Sequence, residues 1–184
     1  MAATFNGRGS QIKERELEMA LETALRALGR EPKRQLSIKL EDAWAGRVGG
    51  VDLALDSPDG LILIELKWDP ITLAACAWDS IKLAAALQAK RGQRGFLIAG
   101  APISEGMPGN ELLNDREVEP LDLRRRYATD FDRWKADVKN HPRHAPTKWR
   151  TRLRHSECLE FKGVPWRIRL TEIELTDSDL TPFE

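Results

Sequence analysis

The tetrapeptide Ser57-Pro58-Asp59-Gly60 stands between two short apolar runs, VDLALD from Val51 and LILIELKW from Leu61. Proline presets the first corner of a turn and glycine accepts a positive φ, so the chain reverses there and the two runs pair as a β-hairpin. The flanking segments narrow the fold further. TLAACAWDSIKLAAALQAKR, with Thr72 as its N-cap, is a helix by its Ala and Leu content, and GFLIAG at Gly95 to Gly100 is a short buried strand. A strand that follows a helix is reached by a crossover, which sets GFLIAG parallel to LILIEL. Ahead of the hairpin, Ser10 caps a helix whose Leu17, Leu21, Leu25 and Leu28 recur at helical spacing until Gly29, and LSIKLEDAW from Leu36 alternates like a half-buried strand. The expected order is α-β-β-β-α-β, an α/β class.

The 184 residues are enough for one domain with its own core, and no apolar run approaches the roughly 20 residues of a membrane span. The N-terminus lacks the apolar stretch of a secretory signal, and Cys76 and Cys158 read as reduced thiols, which makes a cytoplasmic protein the expectation. Lys+Arg and Asp+Glu balance at 29 each, but their distribution is uneven. Arg116 to Arg169 carries 15 basic against 8 acidic residues and holds Trp134, Trp149 and Trp166. That is a candidate polyanion-binding face, with Arg124, Arg125, Arg126, Lys148, Arg150, Arg152 and Arg154 as its expected phosphate contacts. The expected division is residues 1–100 as the core and residues 101–184 as a basic elaboration on the same domain. Within the latter, a polar helix near Leu121 to Val138, a loop at HPRHAP and a closing strand in WRIRLTEIEL are expected.

Charge interrupts the hairpin. In a strand, Glu65 and Lys67 share a face with Leu61 and Leu63, while Asp52, Ala54 and Asp56 share one on the partner strand. A two- or four-residue loop pairs residues whose numbers sum to 117, which sets Asp52 opposite Glu65; a three-residue loop bulged at Gly60 shifts the sum to 118 and separates them. The odd sum is the expectation. Facing carboxylates repel and their burial is costly, so a cation should compensate. Mg²⁺ suits hard oxygen ligands and is held by one or two carboxylates, with water and phosphate oxygens filling the remainder.

Asp52, a hairpin, then Glu65-Leu66-Lys67 resembles the D…(D/E)-x-K signature of the PD-(D/E)XK nuclease superfamily, with Val51 where the family has Pro. The resemblance covers roughly Ser10 to Gly100, about half the chain, and implies a three-layer α-β-α core of restriction-endonuclease type. It further implies a Mg²⁺- or Mn²⁺-dependent hydrolase of DNA. Asp52, Glu65 and the Leu66 carbonyl would be metal ligands, and Lys67 would orient the attacking water or stabilise developing charge. Members often add an acid from the first helix; by helical angle Glu14 lies within the leucine arc and is the choice, Glu18 the reserve. Asp79 and Lys82, a helical turn apart, extend the resemblance as auxiliary residues, or form a surface ion pair. A non-catalytic nucleic-acid-binding or protein-interaction protein is the alternative, and a homodimer is compatible with the sequence.

A second constellation competes. His141, His144, His155 and Cys158 stand at HxxH…HxxC spacing, which resembles a zinc site; the plainer reading is exposed His in a basic segment. Trp44, Trp68 and Trp78 are expected in the core.

Overall fold

The computed structural model describes residues 14–38, 49–68, 71, 73–103, 113–118, 149–161 and 163–176. These form two helices and seven strands in the order α1 (Glu14–Ala27), β1 (Lys33–Ile38), β2 (Gly49–Ser57), β3 (Gly60–Trp68), α2 (Leu73–Gln88), β4 (Arg94–Pro102), β5 (Arg116–Val118), β6 (Trp149–Phe161) and β7 (Val164–Leu175). The class is α/β. One mixed sheet runs β1-β2-β3-β4-β7-β6-β5, and β3 and β4 are its parallel pair.

The turn sets the register. Ser57 pairs with Gly60 and the ladder continues through Leu55↔Ile62 to Leu53↔Ile64, so Pro58 and Asp59 form a two-residue loop and the sums stay at 117. Gly60 takes a φ of 128°, which a side chain would resist. The alternation then sorts the faces. Leu53, Leu55, Ile64 and Leu66 meet Leu17, Leu21 and Leu25 of α1, while Ala54, Leu63, Leu97 and Ala99 join the α2 residues Leu83, Ala84 and Ala86. Helices therefore cover both faces of the sheet. Leu28, expected on the buried stripe of α1, is exposed in the turn that Gly29 closes by donating its N–H to Arg26 O, with Arg30 N–H reaching Leu25 O.

Several expectations change. The strand expected from Leu36 begins at Lys33, and Thr72, Trp44 and the expected helix near Leu121 lie outside the described residues, as does the side chain of Trp78. The segment from Trp149, for which no strand was expected ahead of WRIRLTEIEL, is the long strand β6. Its period-two pattern was masked by arginine: Trp149 and Thr151 are fully buried, and Arg150 and Arg152 occupy the alternate positions.

β4 joins both halves, pairing with β3 on one side and β7 on the other. Where they meet, Trp68 lies flat on Gly100 and stacks on Trp166 with centroids 4.7 Å apart. A Cβ at Gly100 would sit 2.1 Å from the Trp68 ring, which Trp166 holds from moving away. Gly100→Ala should therefore lower stability by roughly 1–3 kcal/mol, the usual cost of overpacking, read as a lower urea midpoint at unchanged slope. An unchanged midpoint would contradict this packing.

Candidate active site at the open end of the hairpin

Beyond Leu53↔Ile64 the hairpin ladder stops, although the register would set Asp52 opposite Glu65 one step further. Backbone groups that lose their ladder partners must find others. Asp52 Oδ2 accepts the Leu66 N–H at 2.8 Å, and Lys82 donates to the Gly50 carbonyl at 2.9 Å. The opening also shows in the pleat. Val51 and Ala54, three residues apart, both pack on the α2 side while Leu53 faces α1, so the alternation slips at Asp52. Across from it, Gln35 holds a φ of 47° and its Nε2 donates to Asp52 Oδ1 at 3.3 Å. Left-handed backbone at a residue with a side chain is strained and is often found at functional sites.

The charges converge there. Glu65 is 1% exposed and Asp79 2%, both far below what a surface ion pair would show. Lys82 Nζ lies 2.6 Å from Glu65 Oε1 and 3.4 Å from Asp79 Oδ1. Lys67 Nζ lies 2.8 Å from Asp79 Oδ2 and 3.9 Å from Glu14 Oε2, and it donates to its neighbour's carbonyl, Leu66 O, at 3.1 Å. Asp79 and Lys82 are thus part of the cluster and not a surface pair. Lys67 pairs with Asp79 and Glu14, leaving Glu65 to Lys82. Glu14 borders the cluster. Glu18 does not, because Arg34 of β1 holds it at 3.0 Å and Glu22 at 3.5 Å on the α1 side.

The local field follows from burial. Desolvation, with Asp79 and Asp52 nearby, pushes the Glu65 carboxyl up to about 9 even against Lys82. Burial raises Glu14 too, against the pull of Lys67, with Asp52 and Asp79 adding to the rise. Burial alone would lower Lys67, but Asp79, Glu14 and Asp52 carry it above its ordinary range. Lys67 therefore stays an ammonium at any physiological pH.

The donor set fits a hard divalent cation. Four carboxyls, Glu14, Asp52, Glu65 and Asp79, face two ammonium groups, an excess of two negative charges when all are ionised. Glu65 Oε1 and Asp79 Oδ2 are buried and receive no hydrogen bond in regular geometry, despite their close ammonium neighbours. Among the described residues no three acidic, imidazole or thiol groups converge as a ready-made cage. Mg²⁺ requires none, since two carboxylates and a carbonyl leave room for water and phosphate oxygens. Asp52, Glu65 and Leu66 O would hold it.

Of the expected basic face, Arg150, Arg152 and Arg154 are described. Arg152 and Arg154 lie against Glu174 at 3.5 and 2.7 Å, and Arg154 also pairs with Glu172, which Arg94 shares at 2.7 Å. Cross-strand register sets Arg150 opposite Glu174 and Arg152 opposite Glu172. These arginines are a charge ladder within the sheet, near Arg94 at the end remote from Lys67. Trp149 and Trp166 are buried, so neither offers a ring to bases. Arg124, Arg125, Arg126, Lys148 and Trp134 lie outside the described residues. His155 and Cys158 stand three residues apart on β6, on opposite faces and about 10 Å apart, so they cannot share one zinc ion. His141 and His144 lie outside the described residues.

Two contributors carried no signal in the sequence: Gln35, through its backbone strain, and the Gly50 carbonyl, through the opening of the ladder. A third is Arg169. Lys67 is level with Ala99 and Ala99 with Arg169, so this buried arginine lies on the α2 face about 10 Å from the cluster, where its Nη1 donates to Asn114 Oδ1 at 3.2 Å. No family model, curated protein or solved structure matches this chain. No described helix is long and apolar enough to cross a membrane.

Proposed function

We propose that the chain is a divalent-metal-dependent nuclease that hydrolyses DNA phosphodiester bonds, built on a restriction-endonuclease-like αβββαβ core. The observation that carries the reading is the gathering of Asp52, Glu65 and Lys67 where the hairpin ladder opens, with Asp79 and Glu14 closing round the lysine. The order of the first six elements and the helix on each face support the same core.

When bound, the metal supplies charge neutralisation and an acidified water. Asp52, Glu65 and the Leu66 carbonyl would hold it. Lys67, kept protonated by its carboxylate neighbours, is no general base; it donates to the scissile phosphate and stabilises the charge that develops there. Asp79 fixes the direction of that ammonium. A second reading, a non-catalytic nucleic-acid-binding or protein-interaction protein on the same fold, is favoured by one contact: Lys82 already occupies Glu65 Oε1.

Supercoiled plasmid and single-stranded DNA, incubated with Mg²⁺ or Mn²⁺, test the proposal. The wild type should cut at least one substrate, EDTA should stop it, and Lys67→Ala should slow it by about a hundredfold or more, the scale of losing one transition-state donor. Failure to cut either substrate with either ion, or full activity in Lys67→Ala, would reject it.

A further inference from the structure

Lys82 is an unusual resident for its helix. Along LAACAWDSIKLAAALQ, Ile81, Leu83, Ala84, Ala85 and Ala86 are buried, and Lys82 is a charged residue within that apolar run. Its side chain is 12% exposed. Three oxygens from three elements surround Nζ: Glu65 Oε1 of β3 at 2.6 Å, the Gly50 carbonyl of β2 at 2.9 Å and Asp79 Oδ1 of α2 at 3.4 Å. Two belong to carboxylates almost wholly withdrawn from water, and the third is a carbonyl released by the opened ladder. Hard oxygens converging on one point are what a metal ion uses; here a covalently tethered cation stands at that point.

We propose that the Lys82 ammonium occupies a cation site formed by Glu65, Asp79 and the Gly50 carbonyl, and takes the place of a second metal ion beside the one held by Asp52, Glu65 and Leu66 O. The inference deepens the proposed metal site and rests on it for the wild-type count. A two-metal site places its ions about 3.5–4 Å apart on a shared carboxylate. Glu65 is the shared group in this arrangement, with Lys82 as the fixed partner. Lys82 is then a positioning residue: it orients Glu65 and lowers the charge that a single divalent ion must neutralise.

The test counts bound Mn²⁺ per chain by electron paramagnetic resonance during titration, on the wild type, Lys82→Met and Lys82→Ala. Methionine keeps much of the apolar stem and removes the charge; alanine also opens space. The wild type should bind one ion. Both variants should bind one more, and their melting temperatures should rise further with Mn²⁺ than that of the wild type. A variant that is unfolded in EDTA and folds on addition of Mn²⁺ also supports the proposal. Unchanged stoichiometry and an unchanged metal-dependent melting shift in both variants would overturn it, as would two variants that stay unfolded with Mn²⁺ present. The two claims fail separately: a wild type that binds no ion while the variants gain one sinks the nuclease reading and keeps this one, and the reverse pattern does the opposite.

Discussion

Replacing Glu65 by Gln should make the metal-free protein more stable at neutral pH and abolish the DNA cleavage proposed for it. The buried carboxyl titrates near 9, against an ordinary 4.5. Between those values the folded chain holds a proton that the unfolded chain has released, so stability falls as pH rises from about 4.5 and levels off above 9. At pH 7 the accumulated penalty is on the order of 3 kcal/mol, and Gln escapes it while keeping an oxygen for Lys82. Urea unfolding in EDTA from pH 5 to pH 9 reads the effect: the wild-type midpoint should decline across the range and that of Glu65→Gln should decline much less. A variant less stable than the wild type at pH 7, with the same pH slope, would show that Glu65 is chiefly a structural partner of Lys82.

The second large effect is expected at Asp79, and in the opposite direction. Its two oxygens meet Lys67 at 2.8 Å and Lys82 at 3.4 Å in a setting that water barely reaches. Asp79→Ala leaves both ammonium groups short of a counter-charge, and removing one partner of a buried pair typically costs about 3–5 kcal/mol. Coupling separates this from simple loss of packing. Adding Lys67→Met to Asp79→Ala should recover part of the loss, since the stranded charge goes with it. Urea midpoints of the single and double variants give the answer; a cost below about 1 kcal/mol for Asp79→Ala, or strictly additive losses, would contradict the arrangement.

What the sequence made legible were features governed by local rules. Pro58 and Gly60 set a two-residue turn, and the turn set the odd-sum register as far as Leu53↔Ile64, one step short of Asp52 and Glu65. The leucine stripe of α1 and the apolar length of α2 required burial, which sorted the two helices onto opposite faces. Partner choice was harder to read. Lys67 shares a face with Glu65 by alternation, yet it reaches Asp79 on a helix whose placement depends on tertiary packing. For Lys82 the i,i+3 spacing from Asp79 left two readings open, an auxiliary site residue or half of a surface pair; its contact with Gly50 O, which depends on the opened ladder, decides for the first. The pairing of the β6 arginines was hidden for a related reason. Their counter-charges, Glu172 and Glu174, lie some twenty residues along the chain and meet them only across the β6–β7 register.

The central claim is that the cluster at the hairpin's open end binds a divalent cation through Asp52 and Glu65. Thermal melts of the wild type and Glu65→Gln, each in EDTA and then with Mg²⁺, test it most directly. A ligand at about 100 times its dissociation constant stabilises the folded state by about 2.7 kcal/mol, which is several degrees for a domain of this size. The wild type should gain that shift with Mg²⁺ and Glu65→Gln should gain none. A wild-type melting temperature that is the same in EDTA and in Mg²⁺ would contradict the claim.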